Sequence, residues 1–316
     1  MNNIIKKNLK PRKYLISYLN IILSINNRPT NIYIYNMNQS RTSSKLVLSN
    51  SISSANDLLE IISLIKSNKK NETSNFITPL LKMRKHLIDW LIVVSKKLKL
   101  SNQCYFLAVE IFDNVLEKLL NINSYQLHLL AVVCLIIASK YEEIKFIGIR
   151  TAVRSICQNK YSEDEIKEAE LFILRVLKFK IRRIYFEEFA YVILSEFDNN
   201  GRQKLSSANE YVFKASIFIY KLVLQNYELY RNYDELTLYF AILYFCISNE
   251  MKHEKLKNKF NFFQFLEFAN TFNIKSKSLI SYSEMIKIDY FQFLDDNEDR
   301  EFLRSCEYLS LINSAL

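Results

Sequence analysis

The chain has 316 residues, a formal net charge of +10 and a 49% apolar content. That is length for two domains, or for one domain and a tail, with apolar area for a sizeable core. Its two glycines (Gly148, Gly201) and three prolines (Pro11, Pro29, Pro79) argue against a large sheet protein, because tight hairpins need residues that tolerate positive φ. Two isolated glycines also cannot build a phosphate-cradling loop.

Other classes fall away on spacing. Cys104, Cys134, Cys157, Cys246 and Cys306 are far apart, with no C-x-x-C, so neither a zinc ribbon nor a redox pair is expected. Cys104, Cys134 and Cys246 sit in apolar helical stretches, where thiols act as small hydrophobes, as in a reducing compartment. His86, His128 and His253 are too scattered for a metal site or a catalytic triad. No metal, cofactor or catalytic residue is expected, and the chain does not read as an enzyme. The longest uncharged apolar run, Leu129 to Ala138, is far short of the roughly 20 residues that span a bilayer. No membrane partner is expected.

Residues 1–55 hold no acid, while Lys6, Lys7, Lys10, Arg12, Lys13, Arg28, Arg41 and Lys45 all lie there. With much Asn and Ser and little periodicity, they read as a basic, largely disordered tail. An acid-poor, basic start also resembles a mitochondrial presequence. Residues 56–67 have short-helix spacing behind Asn56 or Asp57 as N-cap. From Pro79 on, Met83, Leu87, Trp90, Leu91, Val94 and Leu98 mark one face of a helix. Ser101-Asn102 restarts the chain, and Tyr105, Val109, Phe112 and Leu116 mark a second helix. Ser124 opens a third, apolar nearly all round to Tyr141, which predicts a buried hub. Ile149–Cys157 is a shorter fourth. Ser162 with Glu165 three residues on is a capping box opening a fifth, to about Leu177.

Helical spacing then returns over Tyr185–Phe197, Ala208–Leu229, Asp234–Met251, Asn261–Thr271 and Ser278–Phe293. Asn199-Asn200-Gly201 is a turn, and Ile181-Arg182-Arg183 is the linker. The predicted fold is all-α: a mostly disordered basic tail (1–55), then two consecutive five-helix bundles, a first with its leading helix (56–181) and a second (185–316).

Two stretches carry a family resemblance. Met83-Arg84-x-x-Leu87-Ile88-Asp89-Trp90-Leu91 resembles the opening helix of the cyclin box in its mitotic, A/B-type form. Ala138-Ser139-Lys140-Tyr141-Glu142-Glu143 resembles the end of its hub helix. Five positions that recur across cyclins in this frame are present as Arg84, Asp113, Leu129, Lys140 and Glu170. The resemblance is strong over residues 80–180. Over 185–300 it rests on helix order and on Tyr227–Ser248, making that second cyclin-like domain divergent. Asp113-Asn114 stands where the family has Asp-Arg, and Lys145-Phe146-Ile147 where it has Pro-Pro after Glu-Glu-Ile.

The resemblance implies a non-catalytic partner of a cyclin-dependent Ser/Thr kinase, acting in cell-cycle control, nuclear and cytoplasmic. Lys140, Tyr141, Glu142, Glu170 and Phe179 would then bind the kinase. From the residues alone, Lys140 and Glu170, read as lying at the ends of apolar helices, could instead form an internal ion pair, since a charge there is costly unless paired. Arg84 and Asp113 are assigned to a buried structural pair. Met83, Leu87, Trp90, Leu127 and His128 would form the family's groove for Arg-x-Leu peptides. It has changed, with His86 for an aliphatic residue, Val93 for an acid and His128 for Gln. Losing the acid should weaken binding of the peptide's Arg. Arg12, Leu15 and Asn20 fit R-x-x-L-x-x-x-x-N, which resembles a destruction box read by a ubiquitin ligase.

Two rivals stay open: a transcription-associated cyclin, and a nucleic-acid-binding transcription factor of the same two-box fold. The second needs basic residues clustered on 185–316. Lys214, Lys221, Lys252, Lys255, Lys257 and Lys259 lie there among many acids, so nucleic acid is not the expected partner.

Overall fold

The structure is a computed structural model. It describes residues 78–119, 122–181, 186–197, 205–231, 234–250 and 262–295, all within a unit spanning Ser43–Leu316. The expected tail, the leading helix at 56–67, the Asn199–Gly201 turn and most of the linker lie outside these residues. Among the described residues every regular element is helical. In order they are α1 (Thr78–Lys97), α2 (Asn102–Leu116), α3 (Ser124–Glu142), α4 (Ile149–Thr151) with a π-type turn over Ala152–Ile156, α5 (Glu163–Val176), α6 (Phe186–Glu196), α7 (Ser207–Gln225), α8 (Tyr227–Arg231), α9 (Glu235–Glu250), α10 (Phe262–Thr271) and α11 (Ser276–Asp295).

Local chemistry sets the ends of these helices. Ser101 Oγ accepts the Cys104 N–H and starts α2. Asn123 and Gln126 form a reciprocal capping box at α3, and Ser162 and Glu165 form the one expected at α5. Each satisfies orphan N–H groups of the first turn. The hub is α3: it is buried from Leu129 through Ser139 and packs on α1, α2 and α5. By length and composition α3 could cross a membrane, but it is the enclosed core of the bundle. Cys104, Cys134, Cys157 and Cys246 are all buried.

Two expected helices differ. Ile149–Cys157 is one α-turn that widens into the π-type turn. The Ala208–Leu229 pattern is split, because α7 stops at Gln225. Asn226 turns out of the helix, its side-chain Nδ2 donates to both oxygens of Asp289 (3.0 and 3.1 Å), and its side-chain Oδ1 accepts the Leu229 N–H. Asn226 thereby closes one helix and caps the next, which spacing alone does not reveal. In α7 and α9, Tyr220 and Tyr239 pack with Phe186 of α6 in an aromatic cluster.

Apart from Leu91, the stripe read on α1 is its border, not its core. Arg84, Ile88, Leu91, Ile92 and Ser95 are buried, while Met83, Leu87, Trp90, Val94 and Leu98 are half-buried. A cation occupies a core position, so an apolar pattern points about a quarter-turn away from the true inner face.

Candidate protein-docking site

Lys140 lies in the last turn of α3. Glu170 lies mid-way along α5, not at the end of a helix as expected. Because α3 packs on α5, the two meet: Lys140 Nζ donates to both Glu170 oxygens at 2.5 and 2.8 Å. Their side chains stay 32% and 17% exposed. The pair is therefore neither a sealed core bridge nor a free surface one.

The segments carrying this pair end in exposed apolar side chains. Tyr141, Ile144 and Phe146 follow Lys140 and are 50%, 74% and 52% exposed, and Leu171, beside Glu170, is 42% exposed. Glu142 is half-buried. The chain leaving α3 is pinned: Ser139 Oγ accepts the Ile147 N–H at 3.0 Å, and Glu143 accepts the Ser101 N–H at 2.6 Å. The exposed side chains after Lys140 therefore sit on an anchored segment. Large apolar groups left outside in this density mark an interaction surface more often than chance exposure.

Phe179 is 64% exposed and has φ of 57°, beside Lys178 at 54°. Both are in the left-handed region, where a residue with Cβ carries a cost of about 1–2 kcal/mol. The turn is held by Phe179 N–H to Leu174 O (2.7 Å) and Lys180 N–H to Leu177 O (3.0 Å). A helix end of this kind ordinarily takes glycine. Here it displays a phenyl ring.

On α1, the Trp90 and His128 rings lie 4.9 Å apart. His128 Nδ1 is 2.8 Å from the Tyr161 hydroxyl, which donates to the Tyr125 carbonyl at 3.0 Å. Lys160 Nζ lies 5.5 Å from the Tyr125 and Tyr161 ring centres. Burial, and then Lys160, lowers the His128 pKa, so the imidazole is held neutral. Met83, Leu87 and Trp90 are half-buried, His86 is exposed and Val93 is 37% exposed. Leu127, read as part of the groove, is fully buried and belongs to the core.

Arg84 and Asp113 are both fully buried. Arg84 Nε and Nη2 donate to the two carboxylate oxygens of Asp113 at 2.7 and 2.8 Å. The same guanidinium donates to Leu224 O and Gln225 O at 2.9 and 3.0 Å, the last carbonyls of α7. Burial opposes its charge, but Asp113 outweighs that and holds the pKa above the ordinary value.

A second joint escaped the sequence reading. Arg231 of α8 donates to Glu117 (2.6 Å) and to Asn114 (2.7 Å) and lies 3.5 Å from Glu110. Tyr227 and Tyr230 donate to Glu117 and Glu110. Asn114, the departure from Asp-Arg, thus receives a guanidinium from a helix more than 100 residues later. No local spacing could signal that.

Arg12, Leu15, Asn20 and His253 lie outside the described residues. Among the described residues, no three His, Cys, Asp or Glu side chains gather as a metal would need.

Comparison with known proteins adds an independent line. The family described as "Cyclin, N-terminal domain" matches residues 54–182. Cyclin-A1-4 of rice (Oryza sativa subsp. japonica) is 34% identical over 125 residues, covering 37% of this chain and 34% of that protein. The G2/mitotic-specific cyclin cdc13 of Schizosaccharomyces pombe is 41% identical over 101 residues, covering 32% of this chain and 20% of that protein. The chain thus matches about a third or less of the length of these relatives. A viral cyclin from herpesvirus saimiri shares the fold at a TM-score of 0.54 and 15% identity, over 74% of this chain and 96% of that one. With the described residues all-helical, residues 54–182 of this chain match the cyclin N-terminal domain, and the relatives they resemble include A-type and G2/mitotic-specific cyclins.

Proposed function

We propose that the chain is a non-catalytic regulatory subunit that binds and activates a cyclin-dependent Ser/Thr kinase in cell-cycle control. The observation that carries this reading is the half-buried Lys140–Glu170 pair on segments bearing exposed Tyr141, Leu171 and Phe179. Docking would cover these apolar groups. It would also give the pair new partners: the ammonium to the C-terminal carbonyls of a kinase helix, which carry partial negative charge, and the carboxylate to kinase backbone N–H groups. Glu142 would line the same surface. The helix so held would move inward and place its Glu against the ATP-positioning Lys, as phosphoryl transfer requires. The action is allosteric, because the bound state is stabilised only by contacts made in that state.

The A/B-type relatives favour a cell-cycle role over a transcription-associated one. The tail reading is kept as part of the proposal, resting on sequence alone: Arg12, Leu15 and Asn20 would recruit a ubiquitin ligase. A nuclear and cytoplasmic distribution would follow from a kinase partner of this class.

The test is affinity purification of the tagged chain from its own cells, with mass spectrometry and a histone kinase assay on the eluate. A stoichiometric kinase with activity, both lost on Glu170→Ala, is the expected result. Retrieval of no kinase would overturn the reading.

A further inference from the structure

Trp90 sits on a face of α1 that carries a cation at each end. Lys82, His86, Trp90, Val93 and Lys97 recur at i, i+4, i+8, i+11 and i+15, so they share that face. All but the half-buried Trp90 are exposed. The one acid of α1, Asp89, is half-buried, with one carboxylate oxygen shut away from water.

A third cation stands beyond His128. The Trp90 ring lies against His128, the His128 and Tyr161 ring centres are 5.6 Å apart, and the Lys160 ammonium sits over Tyr161 and Tyr125. Lys160 is exposed, but its backbone is fixed. Before it, Gln158 and Asn159 form a left-handed turn closed by Asn159 N–H to Val153 O (2.8 Å) and Lys160 N–H to Cys157 O (2.9 Å). After it, Tyr161 is buried.

The acids nearest in sequence to Lys160 are engaged elsewhere. Glu165 accepts the Ser162 N–H and hydroxyl and the Tyr125 hydroxyl. Glu163 lies 3.6 Å from Arg150, and Asp164 lies 3.3 Å from Lys167. Among the described residues no carboxylate pairs with Lys82, Lys97 or Lys160. Most protein surfaces intersperse both signs of charge. This groove instead has an aromatic floor of Trp90 and neutral His128 under a rim of unpaired cations. Its complement is an apolar side chain flanked by carboxylates. The chain's own residues 1–55, basic and without an acid, do not supply that.

We propose that the Trp90–His128 groove docks an acidic segment of a second protein, with a Leu- or Phe-like side chain on Trp90 and, about three to five residues of extended chain away, an Asp or Glu on Lys160. This is the reverse of the Arg-bearing peptides that the resemblance implies. It does not depend on kinase binding.

The test pans a random decapeptide library on the full chain and titrates the selected peptides against Trp90 emission, which shifts to the blue as the ring is covered. Selected sequences should be enriched in Asp and Glu near a Leu or Phe, and their binding should weaken as salt rises. Replacing their acids by arginine should cost about tenfold or more in affinity. Lys160→Glu, at an exposed position, should abolish or reverse that preference, and Lys160→Arg should keep it. Lys277→Glu, exposed on α11, should leave it unchanged. Selection of basic peptides, selection of none, or an acidic preference that survives Lys160→Glu overturns the proposal. Emission that follows protein concentration and not peptide assigns the groove to a second copy and overturns it as well.

Discussion

Arg84 holds Asp113 with two parallel hydrogen bonds and the end of α7 with two more, so a single guanidinium joins α1, α2 and α7. All four acceptors are met in a site from which water is excluded. Asp113→Asn or Arg84→Met should therefore cost about 3–5 kcal/mol, because each strands a buried charge. Arg84→Lys should not restore the loss, since an ammonium cannot reproduce the planar fork. Urea unfolding followed by circular dichroism measures all three.

The second joint gives a parallel expectation. Arg231→Met leaves Glu110 and Glu117 buried without their cation, and should destabilise by a similar few kcal/mol. It should also loosen α8 first, seen as faster amide exchange over Tyr227–Arg231 than over α3.

Much of the first half was legible in the sequence, and the reasons are local. Ser162 and Glu165 sit three residues apart and form their capping box, and the all-round apolar run of α3 becomes the hub. Where the reading missed, the cause was a contact between distant residues. Arg84 takes an inward place on α1 because Asp113 and α7 receive it, so the apolar stripe marks the border instead. Asn226 ends α7 because Asp289, 63 positions later, holds its amide. Arg231 finds Glu117 across 114 positions. Of the candidate site, the pairing of Lys140 with Glu170 was one of two readings the residues left open. The left-handed turn that presents Phe179 carried no signal at all, since such turns are read from glycine.

That turn separates stability from docking. Phe179→Gly removes the steric cost of positive φ and also removes the exposed ring. The fold should keep its stability or gain up to about 1 kcal/mol. Kinase binding should weaken by at least tenfold. Thermal unfolding and a pull-down titration on one preparation read both.

His128 gives a pH signature at the groove. Its folded pKa lies below the ordinary 6.5, so between the two values the unfolded chain binds more protons. The stability associated with neutral His128 is present above about pH 6.5 and is lost as pH falls through the folded value. Trp90 is the only tryptophan and touches this ring. Its emission should change below pH 6.5, and the change should vanish in His128→Gln.

The central claim is that Lys140 and Glu170 serve a partner and not only each other. The exchange Lys140→Glu with Glu170→Lys in one chain tests it most directly. An ion pair of this exposure is worth about 1 kcal/mol at most to the fold, and the exchanged pair can form again. The account predicts a chain that unfolds at the same urea concentration, retrieves no kinase and phosphorylates no histone. Full kinase retrieval and activity with the charges exchanged would contradict it, and would leave the pair as an internal contact alone.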